Sequence, residues 1–210
     1  MDAAIYYTTN GTEPTLSSNK YTAPIEINSS VLLKASTAVN GRIMGVQAAR
    51  QNFVMHKAIG KSVTYTNPVS KYYLADGPNS LTDGVRGTAA VGKYWHGFSA
   101  KDLIATIDLG EEKSIQSIAL GCLQHYNDWI FLPQSVTFET SIDGNVFTEI
   151  KTVNNPIDIN QKNAMFDFKA DFPLQSARYI RVSAKDNLCP PGHSGAGKPG
   201  WIFADEIVVE

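Results

Sequence analysis

Short runs of alternating apolar and polar side chains recur along this chain, separated by turn-forming residues and never by a helical period. The period of two is explicit in Val136-Phe138-Thr140, and in Ile180-Val182-Ala184 against Tyr179-Arg181-Ser183. Residues two apart on a strand share a face, so each run offers one face to a core. Turn chemistry sits between the runs at Asn10-Gly11, Asn40-Gly41, Asp143-Gly144-Asn145 and Pro190-Pro191-Gly192. Many short strands with frequent turns predict antiparallel sandwich architecture, and nothing alternates strand with helix as a parallel α/β enzyme would. The expected fold class is all-β.

The 210 residues are 43% hydrophobic and 18% charged, enough for one large all-β domain or two small ones. A net charge of -2 with no basic run gives no footprint for nucleic acid. No apolar run reaches the ~18 residues of a membrane span, and Met1-Asp2-Ala3-Ala4 lacks the features of a signal peptide. Ile5-Tyr6-Tyr7-Thr8-Thr9 reads as a strand starting almost at the first residue, so the expectation is a chain that begins inside a longer protein. Cys122 and Cys189 are too few for a disulfide framework. Cys122 shares alternation with Ile118 and Leu120, which places it on a core face as a buried free thiol; one disulfide between the two is the alternative.

From Ile5 to Phe53 the strands read IYYTT, APIEI, VLLKASTAV and a final run, with hairpin turns at both Asn-Gly pairs. A stretch of this length is marginal for an independent core. Arg50 to Gly60 reads as a strand exit and linker, giving domains 1–55 and 56–210 with His56 a solvated linker residue. From Lys61 onward the strands read SVTYT, IATIDLG, KSIQSIALGCLQ, QSVTFETS, VFTEIKTV, AMFDFKAD, ARYIRVSAK and WIFADEIVVE.

Ser80 to Phe98 is the most informative segment. Asp83-Gly84 opens a turn that aims carbonyl oxygens inward, and a hard cation such as calcium needs six to eight oxygens, many from backbone. Tyr94-Trp95-His96-Gly97-Phe98 then supplies flat apolar faces beside a polar ring, material for sugar stacking or for a core. Sugar recognition needs an aromatic face plus fixed donors and acceptors. Three stretches offer both: Tyr94-Trp95-His96, Gln124 to Trp129, and Lys185 to Trp201 with Asp186, Asn187, His193 and Lys198. The candidate ligand contacts are His96, Gln124, His125, Asn127 and Trp129, with Trp95, which also suits core packing. Trp201 is expected to pack, and Arg181 to hold a solvated head on a sheet face. Catalysis finds no support. Asp205 and Glu206 are neighbours on a strand and point to opposite faces, the histidines lack metal-ligand spacing, and neither a phosphate loop nor a nucleophile elbow is present.

Two resemblances give these patterns a context. Tyr6 to Pro14, Tyr21 to Ile25 and Leu33 to Ala35 resemble the motifs of the chitobiase/β-hexosaminidase C-terminal domain, a small immunoglobulin-like sandwich. That family has an earlier strand, so the first domain is expected to be N-terminally truncated. The remainder resembles the discoidin, or coagulation factor five/eight type C, family, which overlaps carbohydrate-binding module family 32. The resemblance rests on Leu81-Thr82-Asp83-Gly84, Tyr94-Trp95, Ile107-Asp108-Leu109-Gly110, Ser141 to Phe147, Arg178 to Val182 and Asp205-Glu206-Ile207, in that order.

The second resemblance implies a jelly-roll β-sandwich that binds ligands with the loops at one end. It also implies a structural calcium, with side-chain oxygens from Asp83 and Glu206, backbone oxygens from the Ser80-Leu81 region, Val85 and Asp205, and Thr88 as a further contributor. The implied function is a non-catalytic module of a secreted, periplasmic or bacterial cell-surface protein. Its partners would be galactose- or N-acetylhexosamine-containing glycans and a glycoside hydrolase domain of the same parent chain, of chitobiase/β-N-acetylhexosaminidase type. A structural or protein-contact module without sugar binding is the alternative. A membrane partner is not expected, because polar residues interrupt the loop aromatics and the net charge of -2 gives little attraction to anionic lipid.

Overall fold

The computed structural model describes residues 2–210. By its internal contacts the chain divides after Met55 into two compact units.

The first unit is one antiparallel sheet built from β1 (Ala3–Thr8), β2 (Asn19–Lys20), β3 (Val31–Val39), β4 (Arg42–Ile43) and β5 (Ala49–Phe53). Its order is β2-β1-β3-β4, with β5 also paired to β3. Asn40 and Gly41 both take positive φ, the two-residue hairpin that the sequence signals. Asn10-Gly11 behaves differently. Asn10 accepts the Thr12 N–H in an Asx turn and opens the loop 9–18 in place of a tight hairpin. The expected strand APIEI is also absent, because residues 23–27 find no partner strand. Among the described residues of this unit only Pro14 and Ala38 are buried, so the sheet is a single layer and lacks a second one to enclose a core.

The second unit contains β6 (Val63–Tyr65), β7 (His96–Ser99), β8 (Leu103–His125), β9 (Ser135–Ser141), β10 (Thr148–Asn154), β11 (Asn163–Ala184) and β12 (Trp201–Val209). Two pairs of runs expected as separate strands are fused. IATIDLG continues through Glu111-Glu112-Lys113 into KSIQSIALGCLQ as β8, and AMFDFKAD continues into ARYIRVSAK as β11. They pair from Asn163↔His125 to Ala184↔Leu103, with register shifts between Asp171 and Gln175 and between Ala177 and Tyr179. Polar Glu111 and Glu112 look like a turn in sequence, yet the ladder carries the chain through them around a corner.

The first half of β8 and the second half of β11 join β6, β9 and β10; the other halves join β12 and β7. The sheet thus folds over on itself. Leu103, Ala105, Ile107 and Leu109 from one layer meet Ile118, Leu120, Cys122 and Phe168 from the other in one core. Cys122 is buried there as a free thiol, and Cys189 is also free and buried. The outer face of the second half of β8 is covered too, since Leu123 packs with Trp95, Ile130 and Phe203. Arg181 pairs with Glu139 and lies 4.0 Å from the Phe147 ring centroid, a sheet-face residue with a partner.

The two units should respond unequally to truncation of apolar side chains. Phe138 is fully buried and Ile5 is 43% exposed. Phe138→Ala should cost about 3–5 kcal/mol in urea denaturation, and Ile5→Ala less than about 1 kcal/mol. Equal losses would contradict this distribution of the core.

Candidate functional site

Two places in the second unit gather polar chemistry. The first is where the Asp83 turn meets β12. Opposite β8, Ala204 pairs with Cys122 and Ile207 with Leu120, so Asp205 and Glu206 together face the single residue Gly121. This bulge sends the two carboxylates to different partners.

The Asp205 carboxylate accepts the Gly87 N–H at 2.7 Å and Arg86 Nε–H at 2.9 Å, while Arg86 also forks onto Asp167. Its Oδ1 is buried without a hydrogen-bond partner, above Gly121, where any Cβ would meet it at 2.1 Å. Glu206 turns to the other side. Its oxygens accept the Gly84 N–H at 2.9 Å and a hydrogen bond from His56 Nε2 at 3.0 Å. His56 Nδ1 accepts the Ala58 N–H, which fixes the proton on Nε2. His56 is therefore no solvated linker residue: its side chain has no exposed surface. Burial, aided by the charge of Arg86, lowers its pKa to about 4 and keeps it neutral.

Of the six proposed metal ligands, the fold brings Asp83 and Glu206 together. Burial first, then the charges of Asp83 and Asp205, push Glu206 up to about 10. Burial also raises Asp83. Ser80 lies beneath them and its hydroxyl accepts the Asp76 N–H. Val85 lies against Asp83, to which it donates its N–H; the Thr88 carbonyl is taken by Trp95 Nε1; and the Asp205 carboxylate points to Arg86, which leaves a backbone oxygen as the contribution expected of Asp205. Among the described residues no three His, Cys, Asp or Glu side chains are placed to hold a metal. Asp83 and Glu206 offer the hard oxygens a calcium ion takes, and backbone or water oxygens would have to complete the set.

The second place is the loop end, where 125–134, 155–162 and 185–200 converge. Gln124 is fully buried and ties the first two together: Nε2 donates to the Gln161 carbonyl at 2.7 Å and the Asp158 carbonyl at 3.1 Å, and Oε1 accepts the Leu132 N–H. His125 and Ile130 exchange backbone hydrogen bonds across the turn. At its tip Trp129 adopts φ 65, a left-handed conformation unusual for a bulky residue. Backbone bonds fix it there, from Trp129 N–H to the Tyr126 carbonyl and from Trp201 N–H to the Trp129 carbonyl. Its indole lies over Gly195, where a Cβ would approach the ring to 2.4 Å. His193 stands edge-on to Tyr126, Trp129 and Phe131; its Nδ1 accepts the Gly195 N–H and its Nε2 donates to the Tyr126 carbonyl. Asn127 and Asp128 are exposed, and His125 Nδ1 lies 2.9 Å from an Asp128 oxygen but out of line for a hydrogen bond.

Three expected ligand contacts are thereby corrected. Trp95, His96 and Gln124 have no exposed surface. His96 bonds the carbonyls of Leu74 and Gly77 through Nε2 and the Tyr65 hydroxyl through Nδ1, so it fastens loop 66–79 and is closed to solvent. His125, Asn127 and Trp129 remain together at an accessible rim. Trp201 is half-buried and packs edge-on to Tyr73 at 5.1 Å.

Asp186, in the same loop end, donates its N–H to Asp102 and accepts the Asn187 N–H. Burial, then the neighbouring Asp102, push its pKa from 3.8 up to about 6. The folded state holds this proton more tightly than the unfolded one, so its contribution to stability is fullest below about pH 3.8 and is lost as pH rises through about 6. Asp186→Asn should therefore raise the melting temperature relative to wild type at pH 7.5 and lose that advantage at pH 4. A pH-independent difference would refute the assignment.

A family model described as F5/8 type C domain matches residues 62–198, and one described as chitobiase/beta-hexosaminidase C-terminal domain matches residues 1–47. No curated protein matches the chain. Among solved structures, CBM32-3 from a family 31 glycoside hydrolase from Clostridium perfringens is 19% identical with a TM-score of 0.51, covering 75% of this chain and 94% of its own. Chitosan-binding module 1 from a chitosanase/glucanase of Paenibacillus sp. IK-5 is 16% identical, with a TM-score of 0.48, covering 74% of this chain and 98% of its own. At these identities the likeness concerns the fold.

Proposed function

The chain belongs to the F5/8 type C domain family, whose members are non-catalytic modules, and on that footing we propose that its second unit binds carbohydrate through the loop end that carries Trp129. The observation that carries this reading is the Trp129 turn itself. A tryptophan held at φ 65 by backbone bonds on both sides is a preorganised aromatic surface, with His125 and Asn127 beside it to direct hydroxyls. Preorganisation reduces the entropy lost on binding. The ligands proposed are galactose- or N-acetylhexosamine-containing glycans. The module would keep an attached glycoside hydrolase, of the chitobiase type suggested by the match at residues 1–47, near its substrate on secreted, periplasmic or cell-surface glycans. No helix among the described residues is long and apolar enough to cross a membrane.

A rival reading, a protein-contact module without sugar binding, draws on the Gly195 backbone lying against the indole. A glycan array probed with the full chain and with Trp129→Ala separates the two. Selective binding that the substitution reduces at least about tenfold supports the carbohydrate mouth, whereas no binding to any glycan favours the protein-contact reading.

We further propose that Asp83 and Glu206 hold a structural calcium ion, which would offset the mutual repulsion of this carboxylate pair. The two groups that donate to Glu206, the Gly84 N–H and the neutral His56, carry no formal charge. At calcium a hundredfold above its Kd, the melting temperature should exceed that in chelator by about 5–10 °C. Glu206→Gln should remove the difference. A melting temperature indifferent to chelator in the wild-type chain would overturn the site.

A further inference from the structure

Between the Trp129 turn and loop 185–200 sits His193, 7% exposed, a titratable side chain outside the sugar contacts proposed above. Its two nitrogens have opposite roles. A backbone N–H can only donate, so the bond from the Gly195 N–H at 3.0 Å makes Nδ1 an acceptor without a proton. A carbonyl can only accept, so the Tyr126 carbonyl at 3.0 Å takes the Nε2 proton. Together these partners fit the neutral Nε2–H tautomer.

Both partners are anchors of Trp129. The Tyr126 carbonyl also accepts the Trp129 N–H at 3.2 Å, one of the bonds that hold the residue at φ 65. Gly195 is the bed on which the indole lies, so close that a Cβ there would meet the ring at 2.4 Å. The imidazole itself stands edge-on to the indole, with centroids 5.3 Å apart. Protonation would undo half of this arrangement. An imidazolium carries a proton on each nitrogen, so Nδ1–H would face the Gly195 N–H, donor against donor. The ionisable groups nearby are His125, Tyr126 and Asp128 on the facing segment and Lys185, Asp186, Cys189 and Lys198 on its own loop. Asp128 lies against His125 and Asp186 accepts the Asn187 N–H, so neither carboxylate is paired with His193. A charge on this buried ring would have no countercharge beside it.

We propose that His193 is the positioning residue of the loop mouth, and that glycan is held at neutral pH and released in acid because protonation of this ring frees Gly195 and the indole lying on it. The consequence for glycan rests on the reading of Trp129 as a sugar-binding surface. Coupling of this kind is reciprocal, so bound sugar makes His193 harder to protonate.

The test is NMR of the full chain, with nitrogen-labelled histidine and tryptophan side chains, taken from pH 7.5 to pH 5.0. In the unliganded chain the Trp129 indole N–H resonance should move with the same midpoint as the His193 ring nitrogens. Titration with galactose, N-acetylgalactosamine and N-acetylglucosamine should find at least one sugar bound at pH 7.5 and bound about tenfold more weakly at pH 5.0. His193→Ala should weaken that binding about tenfold already at pH 7.5. His193→Gln, whose carboxamide offers an acceptor and a donor but does not titrate, should restore binding and make it equal at the two pH values. It leaves His125 and Asp186 in place, so an acid effect belonging to either of them survives in it. The proposal is overturned if the Trp129 resonance ignores protonation of His193, if wild-type affinity is the same at both pH values, or if His193→Gln keeps the acid loss. No sugar bound at pH 7.5, with Trp129 still following His193, would defeat the carbohydrate reading and leave His193 as the residue that positions Trp129.

Discussion

Everything in the second unit hangs on one ladder, the pairing of β8 with β11 from Leu103↔Ala184 to His125↔Asn163. Because it turns a corner at residues 108–113 and 172–178, the same two strands supply the middle of both layers, and their inward side chains meet each other across the core. Sheet closure is thereby achieved by bending strands already paired, so the layers are joined by continuous backbone hydrogen bonds as well as by apolar contact. The loops at residues 125–134 and 185–200 begin where these strands end, which is why they converge.

The second constraint is the bulge at Asp205-Glu206. A regular strand would also separate neighbouring side chains, but here two residues face Gly121 alone, and the vacancy of its side chain admits Asp205, Arg86 and Asp167 together. One carboxylate is neutralised by arginine inside the outer layer; the other is left with neutral donors beside Asp83. The division accounts for why the pair does no acid/base work in concert.

Fold class was plain in the sequence, since alternation in β9 and β11 and the Asn40-Gly41 hairpin depend only on neighbours. What escaped local reading depended on partners far away. Glu111-Glu112-Lys113 looks like a break until the strand opposite is known, and APIEI looks like a strand although nothing pairs with it. His56 reads as a linker residue because Glu206, its partner, is 150 positions distant. At the loop end the residue types were legible and their exposure was not. Gln124 and His96 suit sugar recognition by chemistry, yet buried loop carbonyls need donors, and Gln124 serves those of 158–161 while His96 serves those of loop 66–79.

The ends of the second unit carry a mechanical meaning. Lys57 donates its N–H to Val209, and Gln116 donates to Glu210, so the chain enters and leaves through adjacent positions, with His56 clasped to Glu206 beside them. Tension applied across such neighbouring ends would open these bonds one after another, like a zipper, without shearing the long β8–β11 ladder. The loops at residues 125–134 and 185–200 lie at the opposite pole, so a load on the ends and a ligand at the loops act on different bonds.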